Sequence, residues 1–230
     1  MDLSTLQKKV DSIRPYFPDA WEVSCATEVA SVYFPHMIID NFFTEEELDE
    51  IRKHQAPVTG KEINISHSLI ESSGEIKSSV FDSAFLTAVD QRYRRPLQAI
   101  LGELCGSKQA LYEFSDFHMV STGPDYQHAI HDDIPKKLLS VVIYISPEHN
   151  NGTFIHQSRY DSTPVGEVEW KPNRAFVFSR VDRKTWHSYA ANKRDQRFCV
   201  IYNLNVRKAY KAHWAEGNYL KFLEKFLKNE

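Results

Sequence analysis

The chain has 230 residues, of which 42% are hydrophobic and 13% aromatic, enough to form a substantial core in a single domain. Its 28 basic and 31 acidic residues give a net charge of −3 and include neither a long basic tract nor an acidic tail. This charge pattern argues against nucleic acid and membrane surfaces as partners. We therefore expect one domain over residues 1–230.

The cysteines bear on the compartment. Cys25, Cys105 and Cys199 are odd in number and widely spaced, which fits neither a disulfide framework nor a Cys-x-x-Cys metal site. The N-terminus lacks the apolar stretch of a signal peptide, and no run approaches 18 apolar residues. We expect a cytoplasmic protein. No heptad pattern indicates an oligomeric state.

The first part of the chain, about 1–108, is predicted to be a helical support. Thr44 and Glu47 form a capping-box motif that marks a helix start. A second apolar stripe at helical spacing runs from about Asp82 to Leu104, and Pro96 should kink or divide that helix. The serine-rich segment 60–80 lacks firm periodicity and is predicted to be a loop or an irregular hairpin, with a mobile lid as its candidate role.

The second part of the chain is predicted to be a β-core. Seven short runs rich in β-branched and aromatic residues lie between Ala110 and Val206. Such a series is typical of a β-sandwich or jelly roll. Residues of about 209–228 return to helical spacing and are expected to form one helix packed against the sheet. The predicted fold class is therefore α+β, mainly β.

A possible metal-binding pair lies in the run His128–Asp133. Side chains alternate between the faces of a strand, so His131 and Asp133 should share one face while His128 and Asp132 point the other way. One further histidine would give two imidazoles and a carboxylate, a donor set suited to a divalent metal with open positions. His187 is our candidate for this third ligand, and His156 is the next.

Two arginines are candidates for the interior of the β-core. Arg197 begins the run RFCVIYNLN, on a strand face it shares with Cys199 and Asn203. A guanidinium on an otherwise apolar face needs a carboxylate partner, because an unpaired buried charge is costly. Arg180 shares its strand face with Phe176 and is a candidate substrate contact, as is His128.

The ordered set His131-x-Asp133, His187 and Arg197 resembles the Fe(II)/2-oxoglutarate-dependent oxygenases, especially their prolyl-hydroxylase-like branch. The resemblance spans about residues 110–206. The upstream run PHMIIDNFFTEEELDEI also resembles the first helix common in that branch. It implies a double-stranded β-helix (jelly roll, cupin-like) core at about 109–206.

The resemblance also implies roles for individual residues. His131, Asp133 and His187 would bind Fe(II), and Arg197 would bind the distal carboxylate of 2-oxoglutarate, with Tyr144 as a further contact to that carboxylate. The family's reaction uses O2 and releases succinate and CO2. His128 and Gly152 depart from the prolyl-hydroxylase pattern, where a tyrosine and a pair of glycines are common, so protein prolyl hydroxylation is not implied.

The resemblance favours a hydroxylase acting on a small molecule or a protein side chain. The carboxylate of Asp133 makes hydroxylation or desaturation a better match than halogenation. Two alternatives stay open: a cupin-type isomerase or dioxygenase that does not use 2-oxoglutarate, and a non-catalytic jelly-roll binding module. Arg197 argues against the cupin-type alternative. The primary substrate is not readable from the sequence, because the loops that select it follow no residue code.

Overall fold

The computed structural model describes residues 1–228, which form five α-helices, a 3₁₀ turn (Arg14–Tyr16) and twelve β-strands. The helices are α1 (Leu3–Ile13), α2 (Glu45–Arg52), α3 (Ser83–Gln109), α4 (Ala209–Ala215) and α5 (Tyr219–Leu227). The strands are β1 (Glu22–Val29), β2 (Val32–Asp40), β3 (Ile63–Glu71), β4 (Ile76–Ser78), β5 (Phe114–Thr122), β6 (Gln127–His131), β7 (Lys137–Ser146), β8 (Thr153–Ile155), β9 (Gly166–Val168), β10 (Ala175–Phe178), β11 (His187–Ala190) and β12 (Arg197–Asn205).

The strands form two antiparallel sheets. The major sheet has eight strands in the order β1-β2-β10-β7-β12-β5-β3-β4, and the minor sheet has four in the order β6-β11-β8-β9. Strands that are distant in sequence become neighbours, as expected for a jelly roll. The predicted mainly-β fold with a jelly-roll core is confirmed.

The alternation of side chains along the strands divides the interior into two clusters. On β7, Val141 and Ile143 belong to a large cluster shared with α1 and α3, whereas Tyr144 belongs to a smaller one. This smaller cluster contains residues of both sheets: Phe34, Tyr144, Ile155, Val168, Phe176, Phe178 and Cys199. The helices therefore cover one face of the major sheet, and its other face meets the minor sheet around the site described below.

The predicted helix starts are present, but the kink lies elsewhere. The Thr44 hydroxyl accepts from the Glu47 amide and the Glu47 carboxylate accepts from the Thr44 amide, which confirms the capping box. Helix α3 runs through Pro96, and the residue with non-helical dihedral angles inside it is Cys105. The expectation of a kink at Pro96 was wrong.

The N-terminal support is less helical than predicted. Strands β1 to β4 all lie within the first 108 residues, and the run expected to be one helix is β2 up to Asp40, with α2 beginning only at Glu45. Segment 60–80 supplies β3 and β4, and β3 pairs with β5 along its whole length. This segment thus forms a hairpin, one of the two forms predicted, within the major sheet, and its role as a mobile lid stays a prediction.

The C-terminal segment also differs from the prediction. It forms two helices separated at Gly217, whose positive φ of 69° suits glycine. Helix α4 buries Ala209 and Ala212, whereas α5 has no buried residue, and its Leu220 is 84% exposed. The apolar side of α5 therefore does not pack against the sheet. Within residues 1–228, no helix is long and apolar enough to cross a bilayer.

Candidate metal centre and cavity

Two neighbouring strands of the minor sheet bring the three predicted metal ligands together. His131 ends β6 and lies directly opposite His187, which begins β11. Asp133 follows two residues after His131. One potential ligand atom from each of the three side chains lies within 4.8 Å of the others. All three side chains line one cavity of about 240 Å³ between the sheets.

Backbone contacts determine which ring nitrogen carries the proton in each of the two histidines. Nδ1 of His131 lies 3.0 Å from the Ala129 carbonyl oxygen, and Nδ1 of His187 lies 2.9 Å from the Thr185 carbonyl oxygen. A carbonyl only accepts, so each Nδ1 carries the proton and each Nε2 keeps a free lone pair. Burial lowers the pKa of both imidazoles. Both are therefore neutral near pH 7, the form that binds metals.

Asp133 is held as a carboxylate. Burial alone would raise its pKa, but the nearby charge of Lys137 and hydrogen bonds from Lys137 and Ser140 outweigh burial and hold the pKa well below the usual range. The Lys137 ammonium donates to Oδ1 at 2.8 Å, and the Ser140 hydroxyl donates to Oδ2. Two neutral imidazoles and one ionised carboxylate fit Fe(II) or a similar divalent ion.

His128 lies on the cavity side of β6, which contradicts the expectation that it points away. The register pairs His187 with His131 but Tyr189 with His128, so β6 contains one extra residue relative to β11. This β-bulge interrupts the simple alternation. As a result, the His128 ring lies 4.3 Å from the His131 ring and lines the cavity.

Arg197 lies at another part of the cavity wall and has no acidic partner among residues 1–228. Its side chain is 5% exposed, and its Nε makes no hydrogen bond within that part of the chain. The guanidinium carbon lies 3.7 Å from the centre of the Tyr189 ring and 5.2 Å from that of Trp170. Aromatic faces stabilise a cation only in part. A buried guanidinium of this kind matches a carboxylate supplied by a ligand.

Tyr144 lies beside Arg197, with its ring 5.4 Å from the guanidinium carbon. Its hydroxyl lies 2.8 Å from the Thr153 hydroxyl, and burial raises its pKa to about 12. Tyr144 is thus a neutral hydrogen-bonding group at the Arg197 end. Gly152, next to Thr153, leaves no room for a side chain, because a Cβ there would lie 1.8 Å from the Val168 carbonyl oxygen.

Sequence reasoning missed two residues at the Arg197 end. Tyr189 covers the guanidinium, and its hydroxyl is hydrogen-bonded to Thr122, which pairs with Arg197 across β5 and β12. Tyr189 follows His187 by two residues on the same strand, so alternation could have placed it in the cavity. Thr122 carries no such signal, because its role depends on the pairing of distant strands.

Arg180 does not line the cavity, contrary to expectation. Its guanidinium forms two bonds of 2.7 and 2.8 Å to Glu216, contacts Asp182, and lies 3.4 Å from Asp132. Lys108, which is fully buried, also contacts Glu216 at 2.9 Å. These acidic groups balance the charge of Arg180 within the protein, although its Nε, like that of Arg197, makes no hydrogen bond among residues 1–228. We therefore withdraw Arg180 as a substrate contact.

This buried charge network is linked to the candidate metal ligands through Thr185. The Thr185 hydroxyl donates to Asp132 at 2.7 Å, and the Thr185 carbonyl accepts from His187. Asp132 stands between His131 and Asp133 in the chain. Thr185 therefore connects the third ligand to the segment that carries the other two. His156 is already engaged at both ring nitrogens, by the Asp161 carbonyl and the Ser188 hydroxyl, and does not suit a ligand role.

Comparison with solved structures identifies the fold. A prolyl hydroxylase of Trichoplax adhaerens, solved with a peptide of the hypoxia-inducible factor oxygen degradation domain, has a TM-score of 0.50 at 11% identity over 93% of both chains. A Pseudomonas putida prolyl-4-hydroxylase gives 0.48 at 16% identity, covering 88% of this chain and 99% of the other. A 2-oxoglutarate-Fe(II) oxygenase family protein of Burkholderia pseudomallei gives 0.49 at 13%, covering 87% and 89%.

The chain thus has the prolyl-hydroxylase-like fold of 2-oxoglutarate oxygenases, as the sequence predicted. No protein-family model matches the sequence. No curated protein matches it either.

Proposed function

We propose that this protein is an Fe(II)- and 2-oxoglutarate-dependent dioxygenase that hydroxylates a small molecule or a protein side chain. The observation that carries the proposal is a buried guanidinium without an acidic partner in residues 1–228, lining the same cavity as a His-Asp-His cluster. A 2-oxo diacid matches both features, because it carries a carboxylate for Arg197 and a keto-acid group suited to metal chelation.

Each residue has a defined task in this proposal. His131, Asp133 and His187 would hold the metal, because their donor atoms converge in the required protonation states. Arg197 would bind the distal carboxylate of 2-oxoglutarate, and Tyr144 and Thr122 would help to form the surrounding polar wall. Bound Fe(II) would supply the redox chemistry that couples O2 and 2-oxoglutarate to substrate oxidation, with release of succinate and CO2. His128, which lines the cavity opposite Tyr189, would contact the substrate where it approaches the co-substrate.

The structure also favours this proposal over a cupin-type enzyme without 2-oxoglutarate. Such an enzyme needs only the metal ligands and has no use for an unpaired buried cation. Removing a charge from water costs free energy unless a partner compensates it. The presence of a buried arginine at position 197 therefore supports a dicarboxylate co-substrate.

The direct test measures succinate formed from 2-oxoglutarate by purified protein supplied with Fe(II), ascorbate and air. We expect slow, metal-dependent succinate formation without added substrate, and loss of it in His187→Ala. Arg183→Ala is a suitable control, since Arg183 is exposed and outside the cavity. Metal-independent turnover, or wild-type turnover by His187→Ala, would contradict the proposal.

A further inference from the structure

The cavity has a second polar residue without partners, Asn203. Asn203 lies on β12, six residues after Arg197, and lines the same cavity. Its side chain is fully buried, and neither its amide nitrogen nor its amide oxygen has a hydrogen-bond partner among residues 1–228. Buried amides in folded proteins are normally paired. The unpaired amide therefore indicates a position where a ligand completes the hydrogen bonding.

The position of Asn203 separates it from the carboxylate site. Six residues of extended strand span roughly 20 Å, so Arg197 and Asn203 belong to opposite ends of the cavity wall. An acid anchored at Arg197 and directed to the metal occupies the first end. The Asn203 end is left for the primary substrate.

The charged side chains near Asn203 do not favour a second carboxylate. Lys137 is paired with Asp133 at 2.8 Å, and His118 lies 3.7 Å from Asp116, the residue opposite Asn203 on β5. No cation in the described part of this wall is free as Arg197 is. The Asn203 end therefore suits a neutral polar group and not a second carboxylate.

The chemistry of the asparagine amide further restricts which polar group of the substrate can pair with it. Its nitrogen donates and its oxygen accepts, and both are unpaired. A carboxylate only accepts and an ammonium only donates, so each would leave one atom of Asn203 unsatisfied. A primary carboxamide offers one donor and one acceptor on the same edge of a plane and satisfies both.

The adjoining wall is apolar. Ile201 lies two residues before Asn203 on the same strand face, and its partner on β7, Val142, also lines the cavity. A substrate bound here can cover these side chains as it enters. We propose that Asn203 forms a recognition subsite for an amide group of the primary substrate, with an apolar segment beside it. This proposal rests on the proposed function, which assigns the Arg197 end to the co-substrate.

The test compares two probes that differ in one group, 4-methylpentanamide and 4-methylpentanoate. Both are titrated by ligand-observed NMR into protein loaded with Zn(II), which does not turn over, with saturating 2-oxoglutarate to occupy Arg197. We expect the amide to bind about tenfold more tightly, the effect of roughly one to two net hydrogen bonds. Asn203→Leu should abolish the preference, and Asn64→Leu, an exposed asparagine outside the cavity, should retain it. Equal binding of the two probes by wild type, or a preference that survives in Asn203→Leu, would overturn the proposal.

Two further measurements do not depend on the probes. In the ligand-free protein, Asn203→Leu should not lower the melting temperature, because an apolar side chain of similar shape replaces an unpaired amide; a marked decrease would show that the amide is satisfied structurally. The affinity for 2-oxoglutarate should be unchanged in Asn203→Leu. A selective loss would assign the residue to the co-substrate and overturn the proposal, whereas failure of the wild type to bind 2-oxoglutarate would count against the proposed function instead.

Discussion

Two buried arginines lie close in sequence but have opposite surroundings. Arg180 is 4% exposed and contacts three carboxylates, those of Asp132, Asp182 and Glu216. Arg197 is 5% exposed and contacts aromatic faces, with no carboxylate partner within residues 1–228. The two side chains are equally buried, but only Arg180 has carboxylates within the described chain to balance its charge.

The comparison separates a structural arginine from a candidate ligand-binding one. The network around Arg180 ties α3 and the turn after α4 to the strands that carry the candidate ligands, because Lys108 and Glu216 meet there. Arg197 is surrounded instead by neutral aromatic groups, among them Tyr144, Trp170 and Tyr189. A guanidinium that receives its charge partner from a ligand should contribute to binding, whereas one that is already paired should contribute to folding.

The largest expected effect concerns Arg180. Arg180→Met should lower the free energy of unfolding by about 3 to 5 kcal/mol, because it leaves buried carboxylates without their cation. Urea unfolding of the metal-free protein measures this change. Arg183→Met, at a side chain that is 77% exposed, should change stability little. Equal, small effects of the two substitutions would remove the distinction between the arginines.

Arg197→Ala should act on binding and not on stability. Truncating one partner of a buried charge pair costs about 2 to 5 kcal/mol, which corresponds to a roughly thirtyfold to several-thousandfold loss of affinity for 2-oxoglutarate. Arg197→Lys should be impaired less, because it keeps the charge but loses the planar fork. An anaerobic titration of the Fe(II)-loaded protein with 2-oxoglutarate measures both. Iron affinity should persist in each variant, and wild-type affinity of Arg197→Ala for 2-oxoglutarate would reject its assigned role.

Thr185→Val tests how far the Arg180 side supports the metal ligands. The substitution keeps the carbonyl that accepts from His187 but removes the hydroxyl that donates to Asp132. Loss of such an outer contact typically weakens metal binding by about ten- to a hundredfold. Calorimetric titration with Co(II) measures it, with Thr163→Val at an exposed loop position as the control. Unchanged affinity in Thr185→Val would show that the network supports the fold alone.

The smallest effect is a pH dependence of stability to which the two histidines of the candidate metal centre contribute. Burial lowers the folded-state pKa of His131 and His187, so the unfolded chain binds more protons below its ordinary histidine pKa of about 6.5. The metal-free protein should therefore lose stability as pH falls below about 6.5, by at most about 1.4 kcal/mol per histidine and pH unit. His187→Gln should reduce that slope in urea unfolding at several pH values. An unchanged slope in the variant would contradict the lowered pKa.

The sequence predicted that His131, Asp133 and His187 come together, partly because a local rule governs two of them. The two-residue spacing of His131 and Asp133 places them together, and the order of motifs along the chain indicated His187 and Arg197. The side of His128 was predicted wrongly, since the β-bulge between β6 and β11 arises from the pairing of distant strands. Local alternation cannot reveal an extra residue opposite a partner strand.

Features that depend on distant contacts were not predictable. Arg180 and Arg197 both begin or follow apolar strands, and the carboxylates that separate their roles include Glu216, 36 residues beyond Arg180. The four N-terminal strands were missed. In β3, Ile63, Ile65 and Leu69 alternate with polar residues, but the pairing of the strand with the distant β5 is not visible in its own sequence. The apolar spacing of α5 was recognised, but its burial was wrongly assumed.

The inter-sheet cluster contains a thiol, Cys199, packed close to the proposed site of oxygen chemistry. Burial raises its pKa to about 11, so it stays protonated at neutral pH, and the thiolate is the form that oxidants attack. Cys25 and Cys105 are only partly buried and offer more accessible sulfur. If the proposed turnover releases oxidants, Cys25 and Cys105 should therefore be oxidised before Cys199. The sulfur nearest the proposed reaction is then the one best protected from inactivation.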